Sequence, residues 1–165
     1  MRIVVAGCLA CLVVVAGAAK AEVAGAARAL DGATLEVAGK RVQLHGVDAP
    51  PAGQSCREWA PQGQREYRCG ALARAFMQSL VAGREVICVE EGAGREGMTP
   101  ATCFADGRDL ALALVQAGWA VSAQGASSRY VNQEQTARQS RSGLWAGSSA
   151  NPDEWRRGAA ATPRR

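Results

Sequence analysis

Apolar and polar positions alternate with a period of two over Thr34–Val37 and again over Arg41–Val47, on either side of Ala38-Gly39-Lys40. This pattern predicts a β-hairpin closed by a tight turn. Val42 and Leu44 share one face of the second strand and are expected in the core, whereas Gln43 and His45 share the other. Each outer end of the hairpin carries a turn signal with an acidic residue, Asp31-Gly32 before it and Asp48-Ala49-Pro50 after it. Pro50-Pro51 ends the second strand, because proline has no N–H to give to a ladder. Turns at strand ends are where a β scaffold presents chemistry. The stretch Ala29–Pro51 is therefore the one round which the rest is organised.

The remaining pattern completes a small domain. Val23–Leu30 reads as a first strand, and Ala52–Gln64 as a loop rich in Gly, Pro and Gln. A helix is predicted from Arg65 to Ala82, with Leu72, Phe76 and Leu80 recurring every four residues as its core stripe and Gly83 as its stop. Glu85–Glu90 alternates as a strand, Gly92–Pro100 is a polar loop, and Ala101–Ala105 returns as a strand. Asp109 is placed to cap a second helix, Leu110–Ala117, and Trp119 begins another extended piece. Ser128 is placed to cap a third helix, Arg129–Arg141, carrying Glu134 and Arg138 as an i,i+4 pair. Gly143-Leu144-Trp145 closes that helix. The order of strand, hairpin, helix, hairpin and two helices predicts an α+β fold: a five-stranded OB-fold β-barrel with about three packed helices.

The two ends read differently from the body. Arg2 followed by an apolar or small run, Ile3–Ala19, and by Ala19-Lys20-Ala21 reads as a signal peptide, residues 1–21, cut after Ala21. A membrane anchor is the competing reading, and a run of about 17 residues falls short of the roughly 20 that a spanning helix needs. A lipoprotein cysteine at Cys8 would leave almost no apolar region before it. The domain then covers 22–157, with 158–165 as a disordered basic tail. Without Arg2 and Lys20 the chain has 17 basic and 15 acidic residues. Four of those basic residues are Arg156, Arg157, Arg164 and Arg165, so the body itself is slightly acidic. A broad basic footprint for nucleic acid is missing from it.

Cys56, Cys69, Cys88 and Cys103 remain after the leader. An even count in a small exported domain predicts two disulfides, with three possible pairings. Cys56–Cys69 and Cys88–Cys103 are favoured, since each pair brackets one structural unit. A zinc site would need CxxC spacing or several histidines, and the single histidine is His45.

The blocks LDGATLEVAGKRVQLHGVDAP, QSC…YRCGALA and ATCFADGRDLALALVQAGWAV, followed by Tyr130…Glu134…Ala137-Arg138…Gly143-Leu144-Trp145, resemble the thermonuclease (staphylococcal nuclease-like) family in its exported, disulfide-bearing form. The resemblance spans nearly the whole chain after the leader. It implies an OB-fold barrel with three helices and, in active members, calcium-dependent cleavage of phosphodiester bonds in DNA and RNA. That chemistry uses carboxylates on a hard cation, a glutamate base and two arginines on the phosphate.

Carried over position by position, the resemblance implies an emptied site. The second metal-binding Asp of the family's Asp-Gly-Asp-Thr falls on Ala33, while Asp31 and Thr34 match its first Asp and its Thr. The phosphate-clamping Arg falls on Gln43, and the second metal carboxylate falls on Asp48, which is retained. The general base falls on Pro51, and the Arg of the later loop falls on Met98. A positioned base is worth about 10²–10⁴-fold and one transition-state donor about 10²–10³-fold. Losing them together predicts an inactive member that serves as a binding or interaction module, with no cofactor. Its partner would be a protein or cell-envelope component, and its compartment the periplasm or the exterior. The alternative is a calcium-dependent nuclease with a site rebuilt from Asp31, Arg41, Asp48 and Arg95, with nucleic acid as partner. Trp59, beside the hairpin, is the tryptophan placed to stack on a ligand.

Overall fold

β1 (Glu22–Ala29) pairs antiparallel with β2 (Thr34–Val37), and β2 with β3 (Lys40–Leu44), which gives the expected hairpin. The turn between β2 and β3 puts Ala38 and Gly39 at positive φ, the geometry of a two-residue hairpin turn that matches strand twist. The computed structural model describes residues 21–94, 97–123, 129–147 and Trp155. Residues 1–20, Arg95, the expected cap Ser128 and residues 158–165 lie outside the described residues.

After β4 (Val47–Asp48) come β5 (Cys56–Ala60), β6 (Gly63–Tyr67) and helix α1 (Cys69–Val81). Then follow β7 (Glu85–Glu90), β8 (Met98–Ala105), β9 (Arg108–Asp109), α2 (Leu110–Gln116), β10 (Val121–Ser122), α3 (Val131–Gln139) and a 3-10 turn, Gly143–Ala146. β1 pairs with β7 and β7 with β8, both antiparallel, and a parallel pairing of β3 with β8 closes the ring. Strands β1, β2, β3, β7 and β8 thus form a closed five-stranded mixed barrel with three helices, an α+β OB-type architecture. Closure removes the open edges that a five-stranded sheet would otherwise expose.

Leu35, Val42, Leu44, Val86 and Cys103 fill the barrel, with Met77 and Val81 of α1 and Leu114 of α2 plugging it. The Asp109 carboxylate caps α2 by accepting from the Leu112 N–H at 3.0 Å. Two disulfides are present, Cys56–Cys69 and Cys88–Cys103; the second joins directly opposed residues of β7 and β8. Among the described residues no helix is long and apolar enough to cross a membrane.

Three local expectations need correction. The core stripe of α1 is Cys69, Gly70, Ala73, Met77 and Val81, and Leu72 on the neighbouring stripe is 46% exposed, with Phe76 and Leu80 at the rim. Small residues face the barrel because the helix lies close: a Cβ added at Gly32 would sit 2.9 Å from the Ala73 Cβ. The stretch expected as loop and early helix is instead the β5–β6 hairpin, and α1 begins at Cys69. That hairpin has little apolar alternation. It is held by the Cys56–Cys69 disulfide, a Glu58–Arg65 ion pair and a β-bridge from Glu58 to Gly147. β8 starts at Met98 instead of Ala101 because its first residues pair with β3, in the register Arg41 opposite Met98.

Behind the β5–β6 hairpin a second apolar cluster gathers Cys56, Cys69, Val121, Leu144 and Trp155, with Tyr67, Trp119 and Trp145 packed against it. Trp155 is 3% exposed and packs within this cluster.

Candidate functional site

The turn Leu30–Ala33 sits between the end of β1 and the start of β2, and the Asp31 side chain builds it. One Asp31 oxygen accepts the backbone N–H of Ala33 at 2.8 Å and of Thr34 at 2.7 Å. This is the local bond by which an aspartate satisfies a turn. Gly32 is buried at the apex, where a Cβ would lie 2.8 Å from the Ala49 Cβ. The turn is therefore wedged between α1 and the loop that carries Pro50 and Pro51. Ala33 is 2% exposed and its carbonyl accepts the Leu44 N–H at 2.8 Å, which ties it to the end of β3.

Gln43 is directly opposite Thr34 in the β2–β3 ladder and beside Pro100 of β8. The Thr34 hydroxyl donates to Gln43 Oε1 at 3.1 Å. One step along the same outer face, Arg41 lies between Glu36 and Met98. Glu36 itself is held by two hydrogen bonds from the Arg28 guanidinium, at 3.1 and 3.0 Å. Side chains two apart on a strand share a face, so Thr34, Gln43 and Pro100 make one rung and Glu36, Arg41 and Met98 the next.

Asp48 is half-buried on β4, opposite Val121 of β10. Pro51 is half-buried where the chain leaves for the loop, and its carbonyl accepts the Gln54 N–H at 2.8 Å and packs against Gly70 at the start of α1. His45, at the far end of β3, gives its backbone N–H to the Ala101 carbonyl at 2.9 Å. Arg95 lies outside the described residues. Among the described residues, no three His, Cys, Asp or Glu side chains come together as a metal-binding group.

The fold thus brings Ala33, Thr34 and Gln43 into one neighbourhood, with the Ala49–Pro51 loop against the same turn and Met98 one rung away. A cleft of about 640 Å³ beside Met98 is lined by Lys40, Arg41, Glu90 and Thr99, and neither Ala33 nor Gln43 takes part in it. Trp59 stands apart, 65% exposed on β5.

A second cleft, of about 510 Å³, lies beyond Pro51 along α1. Arg68, Arg74 and Gln78 stand over a floor of Ala71 and Ala75, beside Gly53. The sequence did not single out these two arginines. Their signal is the pair of basic residues bordering an alanine-rich helix face.

Residues 41–147 match the family model described as staphylococcal nuclease homologue. Over 133 residues the chain is 38% identical to the succinoglycan biosynthesis protein ExoI of Rhizobium meliloti (strain 1021), an alignment that covers 79% of this chain and 68% of that one. With the closed barrel and its three helices behind it, the chain belongs to the staphylococcal nuclease homologue family.

Proposed function

We propose that this protein is an exported nuclease-fold module that has lost the family's phosphodiester chemistry and acts by binding a partner in the cell envelope. The observation that carries the reading is the rung Thr34–Gln43–Pro100. Where the resemblance implies a phosphate-clamping guanidinium there is a neutral amide, already hydrogen-bonded to Thr34. A phosphate arriving here would meet no positive charge on this rung, so the developing charge of a transition state would go unstabilised.

The donor set does not fit calcium. That ion takes six to eight oxygen ligands, several of them carboxylate. Ala33 offers a methyl group, and one oxygen of the Asp31 carboxylate, Oδ1, is taken by two backbone N–H groups. Asp48 is left as a single carboxylate at the implied metal position. Pro51 has no proton-accepting side chain and cannot act as a general base. The rebuilt site of Asp31, Arg41, Asp48 and Arg95 is the weaker reading for the same reason, since one Asp31 oxygen is committed to its turn.

Export rests on the leader-like segment 1–21 and on two disulfides, which persist in oxidising compartments. The Rhizobium relative is named for succinoglycan biosynthesis. The partner of this chain is then a component of the periplasm or of the cell exterior. Titrating calcium into the protein tests the site directly: no binding heat and no rise in melting temperature are expected at millimolar calcium. A reproducible rise of several degrees would contradict the reading.

A further inference from the structure

The β5–β6 hairpin and the cleft beside it form a surface that the emptied site does not use. Cys56 is buried, so Cys56, Glu58 and Ala60 point inward, and Arg57 and Trp59 point out. Trp59 is opposite Gln64 in the ladder, and Arg57 opposite Glu66, so the outward face carries an indole, an amide and an opposite-charge pair. Burial of a tryptophan removes a large apolar area from water, and the domain has a second apolar cluster at hand that takes three other tryptophans. Trp59 is instead presented to solvent on a hairpin fixed by a disulfide and by the bridge to Gly147.

From the Trp59–Gln64 rung the chain runs four residues to Arg68, about 13 Å at strand rise. Arg68 borders the 510 Å³ cleft with Arg74 and Gln78, and among the described residues no acidic one lines it. Arg74 is held in place. Its Nε–H donates to the Ala29 carbonyl at 3.1 Å, and Gln78 Oε1 accepts the Ala29 N–H at 2.9 Å. One N–H of the Arg74 guanidinium is thus used for anchoring, and its terminal amino groups remain for a ligand. Two guanidiniums over a floor of alanines let a carboxylate or similar anion approach closely.

We infer that this surface binds an acidic oligosaccharide, with a neutral sugar ring stacked on Trp59 and an anionic group held by Arg68 and Arg74. The inference deepens the proposed binding role and rests on it. A sugar ring offers an apolar C–H face to an indole and hydroxyls round its rim, which suit the amide of Gln64 and the charged ends of Arg57 and Glu66. The charge pattern separates this ligand from a nucleic acid. A single strand brings a phosphate at every nucleotide and is met by basic side chains along its whole path. Here the Arg57–Glu66 pair, with no net charge, lies between the aromatic platform and the arginines, which suits a chain charged only at intervals.

The test is a titration of the mature protein with an oligogalacturonate, a cello-oligosaccharide of equal length and an oligodeoxythymidylate, followed by tryptophan fluorescence and calorimetry. The oligogalacturonate is expected to bind at least tenfold more tightly than the other two and to weaken as salt is raised. Trp59→Ala and Arg68→Ala should each weaken it at least tenfold without lowering the melting temperature, and Trp59→Tyr should restore most of the loss. No binding of the oligogalacturonate, unchanged binding in either alanine variant, or tighter binding of the oligodeoxythymidylate would overturn the inference. Strand cleavage scored in the same samples reports separately on the loss of nuclease chemistry, so the two proposals can fail independently.

Discussion

The Asp31 carboxylate accepts the backbone N–H of Thr34 at 2.7 Å, and that bond fixes the turn at which the implied metal site would begin. The same oxygen takes the N–H of Ala33 at 2.8 Å, so Asp31 Oδ1 organises the backbone of the turn. Hydrogen bonds to a charged group contribute about 1.5–3 kcal/mol each. Asp31→Ala is therefore expected to destabilise the fold by at least about 2 kcal/mol in urea denaturation, and Asp31→Asn by less. An unchanged midpoint for the alanine variant would remove the structural role assigned to Asp31.

The α1 helix gives a paired prediction. Met77→Ala opens a cavity under the barrel and is expected to cost about 2–5 kcal/mol. Leu72→Ala, on the exposed stripe, is expected to cost under about 1 kcal/mol. Equal losses, read from denaturation midpoints, would mean that the helix is rotated from the position described.

Alkaline pH should unfold the protein partly through Tyr130. Burial, the largest cause, pushes its phenol up to about 12, and its hydroxyl donates to Asp109 Oδ2 at 2.9 Å. Below the ordinary tyrosine value of about 10, both folded and unfolded chains keep the proton and the contribution is fully present. Between about pH 10 and pH 12 the unfolded chain releases it first, so stability falls as pH rises. Tyr130→Phe should flatten the fall over that window. Tyr67, also raised by burial, leaves a residue of it. A variant with the same pH dependence as the parent would contradict the assignment.

The disulfides close loops with sequence separations of 13 and 15 residues. In the chain-entropy model each contributes about 3 kcal/mol. Alkylation of the unreduced protein followed by mass spectrometry should label none of Cys56, Cys69, Cys88 and Cys103. Reductant should lower the unfolding free energy by about that amount for each bridge opened. A labelled Cys88 or Cys103 would contradict the pairing.

Much of the barrel was legible because its strands obey simple alternation. Val42 and Leu44 are inside and Gln43 is on the outer face, as the period of two requires. The stripe of α1 was misread because hydrophobic size is a poor guide where a helix lies close. Ala73 and Gly70 make the tight contacts, and the larger Leu72 is displaced to the surface. The β5–β6 hairpin carries polar side chains on both faces and is held by a covalent bridge, so periodicity had nothing to report. Gly63, at positive φ where the hairpin turns, was the available signal. Of the site, the neighbourhood of Ala33 and Gln43 followed from the hairpin register. The turn-building role of Asp31 and the two-arginine cleft did not, because each depends on where a side chain lands in three dimensions.

The central claim is tested most directly by cleavage. Purified mature protein is incubated with single-stranded and double-stranded DNA and with RNA, in millimolar calcium and in chelator, beside an active thermonuclease. The account predicts no calcium-dependent product above the buffer control. Strand cleavage that chelator abolishes, and that Asp48→Ala lowers at least tenfold, would contradict it.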